Sequence, residues 1–248
     1  MFCPPLNRRG SGGLAPNEAP SGGGLDTYSM STNEKMKTFI IANAPDFDLE
    51  PFRIHLTQAD LVIAADGGGN ALYAAGMTPH FVIGDHDSLM PAAAEAFAAA
   101  GVALVRYPTA KDETDLELAL LAAVERGAQQ IDILGAFGGR WDQTLANVSL
   151  LAMPELRERQ VRLLAAEQEA YLAHSATPIA GALNDIVSLL PLAGSARGIT
   201  THGLRYPLHN AELHFERSRG ISNQICDLPA HVAVAEGILL VVHQGIIT

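Results

Sequence analysis

The chain has 248 residues, 48% of them apolar, and a formal net charge of −11. Such an apolar fraction supplies a packed core and excludes a largely disordered chain, while the acidic balance argues against a general nucleic-acid surface, which needs clustered Lys and Arg. Two cysteines far apart, Cys3 and Cys226, form neither a disulfide framework nor a metal-ligand spacing and suit a reducing cytoplasm, and no run approaches the ~18 apolar residues of a membrane span.

Residues 1–35 are rich in Gly, Ser, Pro and Asn, as in "RRGSGGLAPNEAPSGGGLD", and are expected to be a disordered tail because they bury too little apolar surface. Arg8 and Arg9 have no apolar segment behind them, so no signal peptide is expected, and Met36 is a possible alternative start. From Lys37 the pattern alternates. Strand-length apolar runs occur at 38–43, 60–66, 80–85, 102–107 and 131–136. Between them lie helical segments ending at Gly76, beginning at Pro91 and ending at Gly101, and ending at Gly127; a further one, "RWDQTLANVSLLAM", is halted by Pro154. Strands apolar on both faces, alternating with helices, predict a doubly wound, mostly parallel α/β sheet. Beyond Val161 the runs "VRLLAA", "EAYLAH", "DIVSLLPL", "GIT", "AELHFE", "HVAVAEG" and "ILLVVHQG" are short and separated by turn residues, which predicts an all-β sandwich domain. The expected organisation is thus a tail (1–35), an α/β domain (36–160) and a β-sandwich domain (161–248).

In an open parallel sheet, ligands bind beyond the carboxyl ends of the strands. The second strand ends in Asp66, Gly67, Gly68, Gly69 and Asn70, and the third in Asp85 and Asp87. The fourth is followed by Lys111, Asp112, Thr114 and Asp115, and the fifth by Gly138, Gly139, Arg140, Asp142 and Gln143. Blander roles exist for several of these. The glycines can serve a turn that needs positive φ, Asp112 and Asp142 can cap helices, and Arg140 can be a surface cation. The pair Asp85 and Asp87 is harder to explain that way, because neighbouring like charges repel without a cation. With Asp115 they form a hard-oxygen set suited to Mg²⁺. Glycine turns and helix N-termini suit phosphate, and Lys111 and Arg140 add cations where charge builds up in phosphoryl transfer. No G-x-x-x-x-G-K-[ST] occurs, so a nucleotide-dependent transferase with a non-Walker phosphate site is the class expected.

The ordered motifs "ADGGGNAL", "GDHDSL", "KDETDLELAL", "GGRWDQTLAN" and "THGLRYPLHNAELHFERSRGISNQI" resemble the thiamine pyrophosphokinase family over most of the chain from Lys37 to Gly245. The resemblance implies an α/β domain followed by a β-sandwich, a homodimer with thiamine at the subunit interface, and transfer of pyrophosphate from ATP to thiamine. It implies Mg²⁺ on Asp85, Asp87 and Asp115, and an ATP site of Asp66, Gly67, Gly68, Asn70, Thr114, Gly139, Arg140 and Gln143. Tyr206, Ser222 and Asn223 would meet thiamine. Lys111, Arg140 and Asp142 join the Mg²⁺ carboxylates as catalytic candidates, Asp142 as an acceptor of the hydroxyl proton or a holder of metal-bound water. His86 stands where an aromatic is common, and Tyr206 where some members carry Trp. Trp141, the only tryptophan, is expected to pack within its motif. The alternatives are another Mg²⁺-dependent nucleotide hydrolase on this scaffold, or a non-catalytic thiamine or nucleotide sensor.

Overall fold

The computed structural model of the protein describes residues 35–245. The tail expected over 1–35 lies, up to residue 34, outside the described residues, as does Cys3. The first half alternates as expected. Its strands are β1 (Lys37–Ile41), β2 (Leu61–Ala65), β3 (Phe81–Gly84), β4 (Ala103–Arg106), β5 (Gln130–Leu134) and β6 (Gln160–Ala165). Its helices are α1 (Arg53–Thr57), α2 (Gly68–Ala74), α3 (Pro91–Ala99), α4 (Asp115–Glu125) and α5 (Trp141–Leu150). The strand order is β4-β3-β2-β1-β5-β6, with every neighbouring pair parallel. Order runs outward in one direction from β1 and resumes on its other side with β5, which makes a topological switch point between those two strands.

Alternate residues of β1 face opposite cores. Phe39 and Ile41 pack with Leu56, Leu72 and Phe97 from α1, α2 and α3, while Ile40 packs with the buried stripe of α4, Leu116, Ala119, Leu120 and Ala123. Both faces are therefore covered, which is why β2 is buried at every position. Helix α4 begins where a capping box can form: Thr114 Oγ1 accepts from the Glu117 N–H at 3.2 Å. Helix α1 and the single 3-10 turn before it (Glu50–Phe52) have no counterpart among the sequence expectations. The element is little more than a turn long, too short for a periodic signal, and is held by Phe52 and Leu56 on the sheet.

The second half comprises β7 (Gln168–Ala173), β8 (Thr177–Ile179), β9 (Ile186–His202), β10 (Ala211–Leu213), β11 (Asn223–Gln224), β12 (Ala230–Ala233) and β13 (Glu236–Gln244). The fold is an α/β half followed by a β-sandwich half, with the pairing path continuing through β6-β7-β13-β9-β12-β8. Strand β6, the first run beyond the expected junction at 160, pairs parallel with β5 and antiparallel with β7, so it joins the two halves. The runs "DIVSLLPL" and "GIT" are one strand, β9. Between them Ala193 (φ 55°) and Gly194 (φ 127°) turn the chain, and the register against β13 shifts between Glu236 and Ile238. The small residues that suggest a turn make a bulge that bends a long strand. Val187, Leu189, Ile199, Leu213, Val232 and Val241 form the core of this half.

Candidate active site

The carboxyl ends of β1, β2 and β5 open on one cavity of about 610 Å³, at the switch point. Its wall combines Asn43 to Pro45 after β1, Asp66 and Gly67 after β2, and Gly135, Ala136 and Gly138 to Arg140 after β5, together with Ser88, Thr109, Lys111, Thr114 and Asp115. The loops are laid together by backbone hydrogen bonds: Ala42 N–H donates to the Leu134 carbonyl at 2.8 Å and Ala44 N–H to the Gly135 carbonyl at 2.9 Å.

The glycine run after β2 is required by close approach rather than by positive φ. Gly67, which precedes α2, has φ −58°; the left-handed residue is Asp66, at 41°. A Cβ on Gly67 would lie 2.2 Å from the Asn43 amide, and one on Gly68 would lie 2.0 Å from the Ile41 carbonyl oxygen. Only bare backbone lets the start of α2 sit against the end of β1.

That seating fixes Asp66, which is 4% exposed. Its Oδ2 accepts from the Ser88 N–H at 3.1 Å, and its Oδ1 is buried without a hydrogen-bond partner. Burial pushes the carboxyl above its ordinary value, against the Ser88 hydrogen bond, and the charges of Asp115, Asp87 and Asp85 push the same way. Asp66, Asp85 and Asp87 bring carboxylate oxygens within 4.8 Å of one another. Asp85 Oδ1 accepts from the Asp87 N–H at 3.2 Å, the main reason its carboxyl lies below the usual range. The loop that carries this pair is clamped by Asn70, whose Nδ2 donates to the Ser88 carbonyl and whose Oδ1 accepts from the Met90 N–H, both at 2.9 Å. Both ends of the Asn70 amide are thus committed to the loop, and Asn70 does not line the cavity.

Lys111 Nζ lies 2.9 Å from Asp115 Oδ1. Burial would lower the Lys111 pKa, but the Asp115 hydrogen bond and the charges of Asp115, Asp85 and Asp66 outweigh it and raise it. Asp66 thus joins Asp85 and Asp87 in one cluster of carboxylate oxygens, and the Asp115 carboxylate, ion-paired with Lys111, lies against the same Gly84 as Asp66. Arg140 and Asp142 form a two-pronged ion pair on the surface, which raises the pKa of Arg140 and lowers that of Asp142. Neither aspartate considered as a helix cap is one: α4 is capped by Thr114, and Arg140 occupies the cap position of α5. Trp141, expected to pack, is the first residue of α5 and is 81% exposed.

Of the residues the sequence singles out, Asp66, Gly67, Lys111, Thr114, Asp115, Gly138, Gly139, Arg140 and Gln143 line the cavity. Asp85 is next to it through Thr109 and Lys111. Gly68 and Asn70 act from behind, as backbone spacer and loop clamp. Asn43, Ser88, Thr109 and Asn147 also line it and were not anticipated; the strand-end rule that flags strands two to five applies equally to β1, whose carboxyl end delivers Asn43. Tyr206 and Asn223 are brought together, since the Tyr206 N–H donates to Asn223 Oδ1 at 3.0 Å and Asn223 Nδ2 donates to the Tyr206 carbonyl at 2.8 Å. Ser222 adopts φ 59° and its N–H donates to Ser188 Oγ at 3.0 Å. None of these three lines the cavity within the single chain.

A switch-point cavity walled by glycine turns, a lysine and clustered carboxylates, on an α/β half followed by a β-sandwich, defines a transferase for phosphate-bearing substrates. Comparison with known proteins narrows the class. Residues 52–164 match the thiamin pyrophosphokinase catalytic domain and residues 177–239 the thiamin pyrophosphokinase vitamin B1 binding domain. The chain is 30% identical over 212 residues to thiamine pyrophosphokinase of Bacillus subtilis, covering 84% of this chain and 99% of that protein. A crystal structure of thiamine pyrophosphokinase from Bacillus subtilis superposes with a TM-score of 0.74 at 27% identity, over 84% of this chain and 98% of the other. Yeast thiamin pyrophosphokinase shares the fold, with a TM-score of 0.74 at 18% identity over 87% and 88% of the two chains. The chain belongs to the thiamine pyrophosphokinase family.

Proposed function

We infer that the chain transfers the β,γ-pyrophosphoryl group of ATP to the hydroxyl of thiamine, giving thiamine diphosphate and AMP. The observation that carries this, within the family assignment, is the acidic trio at the cavity, in which the buried Asp66 Oδ1 lacks a protein partner. A buried carboxylate oxygen left unpaired beside two further carboxylates is costly unless a cation completes the site, and hard oxygens alone suit Mg²⁺. Asp85, Asp87 and Asp115, with Asp66 packed beside Asp115 at Gly84, would hold the ion, which supplies neutralisation of phosphate charge. Asp115 keeps Lys111 aimed into the cavity, where its ammonium meets phosphate oxygens. Arg140, at the far rim, does the same with Asp142 holding its guanidinium in place. Catalysis then rests on positioning and preorganised charge. The two-pronged pairing of Asp142 with Arg140 favours that steadying role over proton acceptance.

ATP belongs with the α/β half and thiamine with the β-rich half, through Tyr206, Ser222 and Asn223; the catalytic-domain match over 52–164 and the vitamin B1 binding match over 177–239 support this assignment. A homodimer that places thiamine between subunits accounts for the exposure of Trp141, Leu145, Tyr206, Phe215 and Ile221 in the single chain. A cytoplasmic location agrees with the cysteine usage; among the described residues no helix is long and apolar enough to cross a membrane. The test is incubation with ATP, Mg²⁺ and thiamine. AMP and thiamine diphosphate should form together. AMP released without thiamine would indicate a hydrolase, and ligand-induced stabilisation with no product would indicate a sensor.

A further inference from the structure

A row of charges crosses the sheet away from the cavity, and none of the chemistry above uses it. Asp132 on β5 accepts from Nε and Nη2 of Arg162 on β6, at 2.8 and 2.9 Å. Arg162 Nη1 donates to Glu169 Oε2 on β7 at 2.9 Å. Glu169 Oε1 lies 3.2 Å from His243 Nδ1 on β13, and His243 Nε2 lies 2.9 Å from Asp185 Oδ2, just before β9. Asp132, Glu169 and His243 are buried. Acidic and basic groups alternate along the row, so each buried charge has an opposite neighbour. Burying such a row seldom adds stability over apolar residues of the same volume, which directs attention to what it holds in place.

At its far end it holds a loop. Asp185 Oδ2 also accepts from the Ala182 N–H at 2.8 Å. The backbone of the same loop is stitched to Ile225: Ile225 N–H donates to the Asp185 carbonyl at 2.9 Å and Asn184 N–H to the Ile225 carbonyl at 2.8 Å. The packing leaves no slack, since a Cβ on Gly181 would lie 2.7 Å from His243 Nε2 and one on Gly245 would lie 2.3 Å from Asp185 Oδ2. Ile225 directly follows β11, which carries Asn223, and Ser222 precedes it. At its near end, Asp132 sits on the strand that runs into the Gly135–Arg140 side of the cavity.

We propose that Asp185, gripped by His243 and through it by Glu169 and Arg162, is a positioning residue for the acceptor-binding segment 222–225, so that the affinity for thiamine depends on this row while the affinity for ATP does not. The proposal rests on the assignment of Ser222 and Asn223 to thiamine. Both ring nitrogens of His243 face carboxylates, and the Glu169 hydrogen bond, opposed by burial and helped by Asp185, raises its pKa. Burial would raise that of Asp185, but the Ala182 N–H and His243 hold it below its ordinary value.

The experiment compares Asp185→Ala and Asp185→Asn with the wild-type chain. Loss of a charge-assisted hydrogen bond at this position should raise KM for thiamine about tenfold in Asp185→Ala, with kcat and KM for ATP within about twofold. Asp185→Asn, which retains an acceptor for Ala182 and a polar partner for His243, should recover part of that loss. Amide exchange at Asn223, Gln224 and Ile225 should quicken in Asp185→Ala while that of β1 and β2 stays unchanged. Equal changes in both KM values, or an unchanged KM for thiamine in a folded variant, would overturn the proposal. If Asp185→Ala does not fold, His243→Gln reads the same KM split. A wild-type chain that forms no thiamine diphosphate would instead refute the reaction; the amide exchange of 223–225 would then decide the structural claim, and unchanged exchange would sink it.

Discussion

Replacing Asp66 by Asn should make the metal-free protein more stable and the enzyme nearly inactive. In the wild-type chain Asp66 Oδ1 is buried and unpaired, with the carboxylates of Asp85 and Asp87 within 4.8 Å. An asparagine keeps an acceptor for the Ser88 N–H, removes one like charge, and turns an NH₂ donor toward the other two carboxylates. Relieving an unsatisfied buried group returns about 1–2 kcal/mol. At about 2–4 °C per kcal/mol for a chain of this size, Tm should rise by roughly 2–8 °C. The assay is thermal unfolding in EDTA, repeated across a Mg²⁺ titration. Wild-type Tm should climb with Mg²⁺ because the ion binds only the folded state, and the Asp66→Asn curve should stay flat. Turnover should fall at least about a hundredfold, as expected when charge stabilisation at the transferring group is lost. A variant less stable than wild type in EDTA, or one that retains most of its turnover, would refute the assignment of Asp66 to the cation.

Gly68→Ala should yield a chain destabilised by about 3 kcal/mol or more, because its Cβ would meet the Ile41 carbonyl oxygen at 2.0 Å; urea unfolding measures it. Asp142→Asn should lower kcat by less than about tenfold, whereas loss of a general base costs about 10²–10⁴, and a steady-state comparison separates the two. For His243 the sign follows from its raised folded pKa. Its contribution is fully present below the unfolded value of about 6.5 and is lost as pH rises through the folded one. The urea midpoint should therefore fall as pH climbs above about 6.5, and His243→Gln should remove that component of the slope.

The α/β half was legible because its strands are apolar on both faces and its helices end at glycines such as Gly76, Gly101 and Gly127, all at positive φ. The β half was legible as a class and less so in detail. Ala193 and Gly194 carry turn signals whether the chain stops or merely bulges, and only the pairing of β9 with β13 decides between them. In the site, strand ends pointed to the right loops, but which carboxylate pairs with which cation depends on three-dimensional distance. Asp115, the first residue of α4, pairs with Lys111 from the loop before it, while Asp66, distant in sequence from Asp85, joins it across Gly84. A Cβ on Gly84 would lie 2.8 Å from the Asp66 Cβ, a proximity no spacing rule encodes. Asn70 shows the same limit: its position in the motif is readable, but its use as a loop clamp appears only from its two hydrogen bonds.

The most direct test of the whole account is the fate of labelled ATP. With Mg²⁺ and thiamine present, label in the γ-phosphate should appear in thiamine diphosphate, with AMP formed in equal amount and only when thiamine is added. Label recovered as free phosphate or pyrophosphate without thiamine, or ADP formed with thiamine monophosphate, would contradict it.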